Sequence, residues 1–347
     1  MQSIPVHVVT GFLGAGKTTL LNRLLKSGAF ANTAVIINEF GDVGIDHLLV
    51  EANEAGDQMI ELSDGCLCCT VRSDLVDTLR EIGERADEGA AIDRVIIETT
   101  GLADPVPVLQ AIIASPVIND RFHVAGVVTA VCVQTGLASL GGHEEARRQV
   151  ALADRIVLTK TDMEAPSGDL LATLAALNPL VTPVDAHATG FSLTLDDAAT
   201  TAADVPGEEP HHHNHHHHHH DVNRHDAAIE AFTLTHDAPI ARHSVEMFSD
   251  LLRASMAREL LRMKGIVRTI EEPDRPLVIH GVQSVFHPPV RLEGWGERTP
   301  QTRLVVIAKN GSRAHIEGLF AAFTGQIAPD RPDAQALTDN PLSIPGT

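Results

Sequence analysis

A glycine-rich turn near the start of the chain has the spacing of a phosphate-binding loop. The segment Gly11-Phe-Leu-Gly-Ala-Gly-Lys17-Thr18 matches G-x-x-x-x-G-K-[ST] and lies between an apolar run and a helical pattern. Glycines let successive backbone N–H groups converge on an anion at a helix N-terminus. We expect Lys17 to reach the β- and γ-phosphates of a nucleotide and Thr18 to ligate Mg²⁺. The phosphate-contacting residues of this prediction are Gly11, Phe12, Leu13, Gly14, Ala15, Gly16, Lys17, Thr18 and Thr19.

A carboxylate ends a later apolar run, in the segment Val95-Ile-Ile-Glu98-Thr-Thr-Gly101. A Walker B element is an apolar strand that ends in a carboxylate near the magnesium ion. We therefore predict that Glu98 acts in catalysis beside Lys17 and Thr18, by positioning Mg²⁺ or water. Gly101 would form a turn that senses the γ-phosphate. The alternative is a strand-end glutamate that faces solvent.

The identity of the base is indicated by Thr159-Lys160-Thr-Asp162, which follows another apolar run. Many GTPases carry N-K-x-D here, where the Asp accepts two hydrogen bonds from guanine and the Lys stem packs on the ring. Thr159 replaces the Asn and weakens this motif slightly. Asp162 is retained, and a site built to bond a donor pair rejects a base that lacks it. The segment therefore favours GTP over ATP.

Three thiols lie within four residues, at Cys66, Cys68 and Cys69. Closely spaced thiolates repel one another and are stabilised by a soft or borderline cation. Three sulfurs leave one position of a tetrahedral site open, which suits a protein that hands its metal on. The alternative interpretations are redox sensing and three inert cysteines.

Two acids follow the second apolar run, where P-loop GTPases place their first switch. Glu39 or Asp42 could complete the metal shell, or either could serve Mg²⁺, or both could be solvated loop residues. Glu39 is the residue that we include among the predicted metal ligands. Cys132 lies within an apolar run and is predicted to be a buried core residue.

The elements that must position these residues alternate between β-branched apolar runs and helical patterns. This alternation predicts an α/β domain over residues 1–194, with a doubly wound, mostly parallel sheet of the P-loop NTPase type. The predicted strands span 6–10, 34–38, 94–98, 124–131, 155–159 and 180–185.

A second, smaller α+β domain is predicted over residues 227–327. Residues 195–226 are too polar to bury a core and are predicted to be a flexible linker, and residues 328–347 a disordered tail. The linker contains nine histidines between His211 and His220, which could load or buffer metal or be only a solvated spacer. The predicted C-terminal strands span 231–236, 265–271, 277–286 and 303–308, and the helices 244–262 and 314–323.

The composition limits the partners and the compartment. The chain has 26 basic and 46 acidic side chains, a formal charge of −20, which argues against binding to a phosphate backbone. We found no apolar run long enough for a membrane span and no leader pattern, so we expect a cytoplasmic protein without a membrane partner. Four cysteines, three of them clustered, fit a reducing compartment.

The motifs GFLGAGKTT, INEFGD, GCLCCTV, IETTGLADP and TKTD, in this order, resemble the CobW-like family of P-loop GTPases, related to the HypB and UreG metallochaperones. The resemblance extends to the C-terminal domain through HGVQS from His280 and GWGE from Gly294. One departure is Val131-Cys132-Val133, where relatives usually have Asp after the strand.

The resemblance implies GTP hydrolysis coupled to delivery of Zn²⁺, with Co²⁺ or Ni²⁺ as alternatives, to a client metalloprotein. It also implies that Cys66, Cys68 and Cys69 are metal ligands near the nucleotide. A homo-oligomer is a further candidate assembly. The alternative functions are metal storage or buffering, and cobalt handling as an accessory factor in cobalamin biosynthesis.

Overall fold

The computed structural model describes residues 3–26, 30–37, 71–189, 191, 229–296 and 298–325. Several of the predictions fall on other parts of the chain. The residues outside the described ranges include Glu39, Asp42, Cys66, Cys68, Cys69, the histidines of 211–220, the predicted linker and the predicted tail.

The N-terminal unit is built on a parallel six-stranded sheet. Its strands are β1 (Ile4–Thr10), β2 (Thr33–Ile37), β3 (Arg94–Glu98), β4 (Phe122–Cys132), β5 (Arg155–Thr159) and β6 (Val184–Asp185). They are arranged in the order β2-β3-β1-β4-β5-β6, and every pairing is parallel. The strands read as continuous apolar runs because both faces of such a sheet are covered.

Helices cover both faces of this sheet. Val6 and Val8 of β1 pack in one buried apolar cluster, whereas Val9, which points to the opposite face, packs in another. This confirms the predicted doubly wound α/β architecture. The described helices of this unit are α1 (Lys17–Lys26), α2 (Val71–Asp87), α3 (Val106–Ala114), α4 (Pro116–Asn119), α5 (Gly136–Gly142), α6 (Glu144–Leu152) and α7 (Gly168–Leu177).

The C-terminal unit is an antiparallel sheet with two helices, which confirms the predicted α+β class. Its elements are β7 (Ile229–His236), α8 (Arg242–Ser255), β8 (Leu260–Val267), β9 (Leu277–Val282), β10 (Val285–Phe286), β11 (Val290–Arg291), β12 (Thr302–Lys309) and α9 (Arg313–Thr324). The strand order is β10-β9-β8-β12-β7, and β11 pairs with β9. Phe248 of α8 and Phe320 of α9 meet with ring centroids 5.5 Å apart, so the two helices share one core.

Four predicted element boundaries in the two units were wrong. The strand predicted over 265–271 is β8, which begins at Leu260 and ends at Val267. The helix predicted over 244–262 ends at Ser255, and Leu260 begins β8 instead. The strand predicted over 277–286 is two strands, β9 and β10, which pair antiparallel. In the first sheet, the strand predicted over 180–185 contains only Val184 and Asp185.

The two units are joined by an apolar contact and a buried ion pair. Leu261 of β8 lies in the same buried cluster as Leu109 of α3. Arg262 of β8 is fully buried, and its guanidinium donates to the Leu152 carbonyl at 2.6 Å and pairs with the Asp154 carboxylate. Burial opposes ionisation of Asp154, but Arg262 holds the pKa of this carboxyl well below its usual range.

None of the helices within the described ranges is both long enough and apolar enough to cross a membrane.

Candidate nucleotide site

The predicted phosphate and base segments meet at one edge of the parallel sheet. Val9 pairs with Glu98 across β1 and β3, and Cys132 pairs with Thr159 across β4 and β5. Because parallel strands point the same way, the loops after β1, β3 and β5 leave from the same edge. Ligands of doubly wound sheets bind at this carboxyl edge, so the fold brings the sequence-predicted residues together where a nucleotide would bind.

The glycine-rich loop closes tightly between β1 and α1. Gly11 has a φ of 144°, and a Cβ at this position would lie 2.4 Å from the Ala130 carbonyl oxygen, so only glycine fits. The Lys17 side chain is buried and its Nζ donates to the Gly11 carbonyl at 2.9 Å. Helix α1 begins at Lys17, so its N-terminal N–H groups and the loop amides form a basic, anion-binding concavity.

A hydroxyl and a carboxylate meet beside this loop. The Thr18 Oγ1 donates to Glu98 Oε1 at 2.7 Å, although the two residues are 80 positions apart. Glu98 is only 4% exposed, so the alternative of a solvent-facing glutamate is wrong. Next to it, Thr99 Oγ1 donates to Thr10 Oγ1 at 2.8 Å and fixes the end of β3 against β1. Hydroxyl and carboxylate oxygens are the ligands that Mg²⁺ prefers, so this pair fits the predicted ion.

The predicted base segment is tied to the phosphate loop. Thr159 is buried, and its hydroxyl donates to the Ala15 carbonyl at 2.7 Å. Lys160 follows with a φ of 59°, a left-handed conformation that turns the chain sharply after β5. The side chain of Asp162 is 57% exposed, so its carboxylate is accessible to a base.

His187 and Arg23, which the sequence analysis did not predict as site residues, form a line of contacts that ends at Asp162. His187 Nε2 lies 3.2 Å from Asp162 Oδ1, and Arg23 NH1 lies 3.1 Å from His187 Nδ1. An arginine N–H can only donate, so Nδ1 accepts and the ring proton sits on Nε2, facing Asp162. The two contacts, from Arg23 to His187 and from His187 to Asp162, orient the Asp162 carboxylate. Neither Arg23 nor His187 belongs to a motif, and both reach Asp162 only through the fold.

The predicted thiolate ligands cannot be placed, because they fall outside the described residues. Within the described ranges, no group of three or more His, Cys, Asp and Glu side chains is arranged to hold a metal ion. Cys132 is buried at 2% exposure, as predicted. Burial works to raise the pKa of its thiol, but hydrogen bonds from Thr135 outweigh burial and the pKa is lowered.

A parallel sheet with a G-x-x-x-x-G-K-T loop after a central strand, and a carboxylate at the end of the neighbouring strand, defines a P-loop nucleotide-binding protein. Residues 5–184 match the family model described as CobW/HypB/UreG, nucleotide-binding domain. Residues 229–324 match the model described as Cobalamin synthesis protein cobW C-terminal domain. The chain belongs to the CobW/HypB/UreG family, which confirms the resemblance seen in its motifs.

Individual relatives match along most or half of the chain. Zinc chaperone YjiA of Escherichia coli is 32% identical over 331 residues, which cover 94% of this chain and 99% of the relative. Zinc chaperone CobW of Pseudomonas aeruginosa is 36% identical over 191 residues, 47% of this chain and 50% of the relative.

A solved structure matches across both units. The crystal structure of Zn(II)-bound YjiA GTPase from E. coli has a TM-score of 0.66 and 28% identity, and the match covers 93% of this chain and 99% of that chain.

Proposed function

We propose that this protein is a GTPase that binds zinc at Cys66, Cys68 and Cys69 and transfers it to a client metalloprotein under control of the nucleotide cycle. The observation that carries the proposal is the partly buried hydrogen bond from Thr18 to Glu98 beside the phosphate loop. A relative of nearly equal length is named a zinc chaperone, and the solved structure of that protein is titled a Zn(II)-bound GTPase.

In the phosphate half of the site, Lys17 binds the β- and γ-phosphates of GTP together with the loop amides. Thr18 and Glu98 are the residues that would hold Mg²⁺, and Glu98 also orients the attacking water. When bound, Mg²⁺ neutralises charge on the phosphate oxygens during transfer. Burial of Glu98 and Lys17 lowers the local dielectric, so charges fixed there act more strongly than in water.

In the base half of the site, Asp162 accepts two hydrogen bonds from guanine and the Lys160 stem packs on the ring. The support is the exposed carboxylate of Asp162 and its contact with His187 Nε2 at 3.2 Å. Adenine offers no matching pair of donors, so a site of this kind selects GTP over ATP.

The elements that precede and follow the thiol segment in the chain support coupling between metal and nucleotide. Strand β2 ends at Ile37, which pairs with Glu98, and helix α2 begins at Val71. The segment that carries the thiols and Glu39 therefore leaves the sheet beside the residue that we assign to Mg²⁺ and water. Glu39 is our candidate fourth ligand, and Co²⁺ or Ni²⁺ are alternative cargoes.

The test compares GTP affinity and GTP turnover with and without Zn²⁺. Coupling between two binding sites is reciprocal, so Zn²⁺ should change GTP affinity by about fivefold or more. Lys17→Ala should abolish turnover, and a variant with Ser at positions 66, 68 and 69 should keep turnover but lose the zinc response. Equal GTP affinities with and without Zn²⁺ would contradict the coupling.

Lys17→Ala and a deletion of residues 211–220 separate metal storage from metal delivery. A storage protein would keep its function in Lys17→Ala and lose it on deletion of residues 211–220. Transfer of zinc from the protein to an apo-metalloenzyme, followed by recovery of the enzyme's activity, gives the measurement.

A further inference from the structure

A buried glutamine on α6 reaches the turn that follows Glu98. Gln149 is 1% exposed, and its side-chain Nε2 donates to the Gly101 carbonyl at 3.2 Å and to the Ala103 carbonyl at 3.0 Å. Both partners are carbonyl oxygens, which only accept, so the amide nitrogen must be the atom that faces them. One side chain therefore bridges two peptide groups of the same turn.

The turn held by Gln149 lies directly on the phosphate loop. A Cβ added at Gly101 would be 2.8 Å from the backbone nitrogen of Leu13, closer than side-chain atoms pack. The backbone of Gly101 and the backbone of the phosphate loop are thus in contact. A small shift of this turn changes its distance to any phosphate bound by Lys17.

Helix α6 is a fixed support for this contact. The Gln149 carbonyl accepts from Thr129 of β4 at 2.7 Å. Asn178, which directly follows α7, is fully buried. Its side-chain amide donates to the Val150 carbonyl in α6 and to the Ala153 carbonyl just after α6, each at 2.9 Å. These buried hydrogen bonds tie the backbone at the end of α6 to β4 and to the segment that follows α7, so the helix is a firm support for the Gln149 side chain.

A second contact from α6 holds the same turn. Arg148 forms an ion pair with Asp104 at 2.6 Å, and both side chains are partly exposed. This pair is accessible to solvent and contributes little by itself. The buried amide of Gln149 is therefore the stronger of the two attachments.

We propose that Gln149 is a positioning residue for γ-phosphate recognition and hydrolysis, which rests on the proposed GTPase function. Its amide fixes the Gly101 turn against the phosphate loop, at the distance at which that turn meets a γ-phosphate. GDP has no γ-phosphate, so its binding does not depend on this placement. The residue touches neither substrate nor metal and acts through the backbone of residues 101–103.

The test replaces Gln149 by methionine, which has a similar volume and no donor. Misplacing a contact by about 1 Å costs up to about 100-fold in rate, so kcat for GTP should fall between about tenfold and 100-fold. Affinity for a non-hydrolysable GTP analogue should fall as well, while GDP affinity should stay within about twofold of wild type. A merely structural role would weaken GTP-analogue and GDP binding equally.

Gln110→Met is the matched control. Gln110 lies on α3, and its side-chain amide also makes a contact between elements, donating to Ser284 Oγ at 3.2 Å. This hydrogen bond is made to the C-terminal unit, so loss of it should keep the wild-type ratio of GTP-analogue to GDP affinity. Gln149→Asn, whose amide is one carbon shorter, gives a second variant if Gln149→Met folds poorly, and it should show the same selective loss.

The outcomes distinguish this inference from the proposed function. If the wild-type protein hydrolyses GTP and both Gln149 variants keep its turnover and its affinity for the GTP analogue, the inference alone is overturned. Equal losses for the analogue and GDP would overturn it as well. A wild-type chain that binds neither nucleotide would overturn the proposed function and the inference together.

Discussion

The hydroxyl of Thr159 shows how a departure from a motif can be compensated by geometry. The sequence suggested a slightly weakened base segment, because Thr stands where many GTPases have Asn. In the structure the Thr159 hydroxyl donates to the Ala15 carbonyl at 2.7 Å and ties the base segment to the phosphate loop. The substitution therefore keeps a hydrogen bond between the two halves of the site.

Thr159→Val should weaken GTP and GDP binding alike, by about fivefold to tenfold. Valine has the same shape but leaves the Ala15 carbonyl without this donor, and one buried hydrogen bond contributes about 1 kcal/mol. Titration of both nucleotides gives the measurement, with Thr235→Val on the exposed side of β7 as control. Unchanged affinities, or a loss confined to GTP, would show that the hydroxyl does not join the two loops.

The sequence predicted site residues that lie in motifs with local spacing, and it missed residues that only the fold brings to the same edge of the sheet. Lys17, Thr18 and Glu98 were predicted because each belongs to a motif at the end of a strand, and the parallel sheet brings these strand ends together. His187 and Gln149 carry no local signal. One follows β6 and the other lies on a helix, and only tertiary packing brings them to Asp162 and to the Gly101 turn.

The helix predicted over 244–262 shows a limit of periodicity. Residues 256–262 read Met-Ala-Arg-Glu-Leu-Leu-Arg, which contains good helix formers and no glycine or proline. The structure instead places Leu260 and its successors in β8, between β9 and β12. Pairing on both sides of a central strand outweighs the weak helical preference of a few residues.

Strand β1 carries a titratable group at the centre of the first sheet. His7 lies between Ile96 of β3 and Gly126 of β4 and is 3% exposed. Burial, assisted by the nearby charge of Arg94, lowers its pKa from 6.5 to about 4. The folded strand therefore holds a neutral imidazole over a range in which the unfolded chain binds a proton.

The free energy of unfolding should fall as the pH drops from 6.5 toward 4. In this window the unfolded state binds more protons at His7 than the folded state, so acid favours unfolding, by about 3 kcal/mol across the whole window. In His7→Leu this contribution disappears, and the dependence on pH should be flatter. His280 and His287 also have lowered pKa values, so part of the dependence should remain.

Urea unfolding at about pH 7 and about pH 5 measures the change in the free energy of unfolding between the two pH values. His7 should contribute about 2 kcal/mol of this change. His315→Leu, at an exposed position of α9, is the matched control and should keep the wild-type slope. A slope in His7→Leu as steep as that of wild type would mean that His7 is protonated in the folded strand.

A buried ion pair holds the two units of the molecule together, and either of its charges would be costly to bury alone. Arg262 belongs to the C-terminal sheet, whereas Asp154 and the Leu152 carbonyl belong to the N-terminal unit. Nothing in the sequence around these residues predicts the contact, since it depends on how one complete unit packs on another. Separating the units would expose an apolar surface and break a buried ion pair.

Arg262→Met should destabilise the protein by about 3 to 5 kcal/mol, because it leaves the Asp154 carboxylate buried without its cation. Arg253→Met is the control, since Arg253 forms an exposed ion pair with Asp250 on α8, which should contribute less than about 1 kcal/mol. Chemical unfolding followed by fluorescence of Trp295 measures both. Similar losses in the two variants would show that the buried pair does not hold the units together.

The strand order also sets when the phosphate loop can take shape during synthesis on the ribosome. The loop is translated within the first eighteen residues, yet β1 pairs with β3 and β4 and not with β2. Its second neighbour is complete only when residue 132 has been added, and Thr159, which ties down the loop from the other side, comes later still. A nascent chain that ends before residue 159 carries the glycine loop without all of the groups that hold it in the folded protein. Nucleotide can therefore bind only after most of the N-terminal unit has left the exit tunnel.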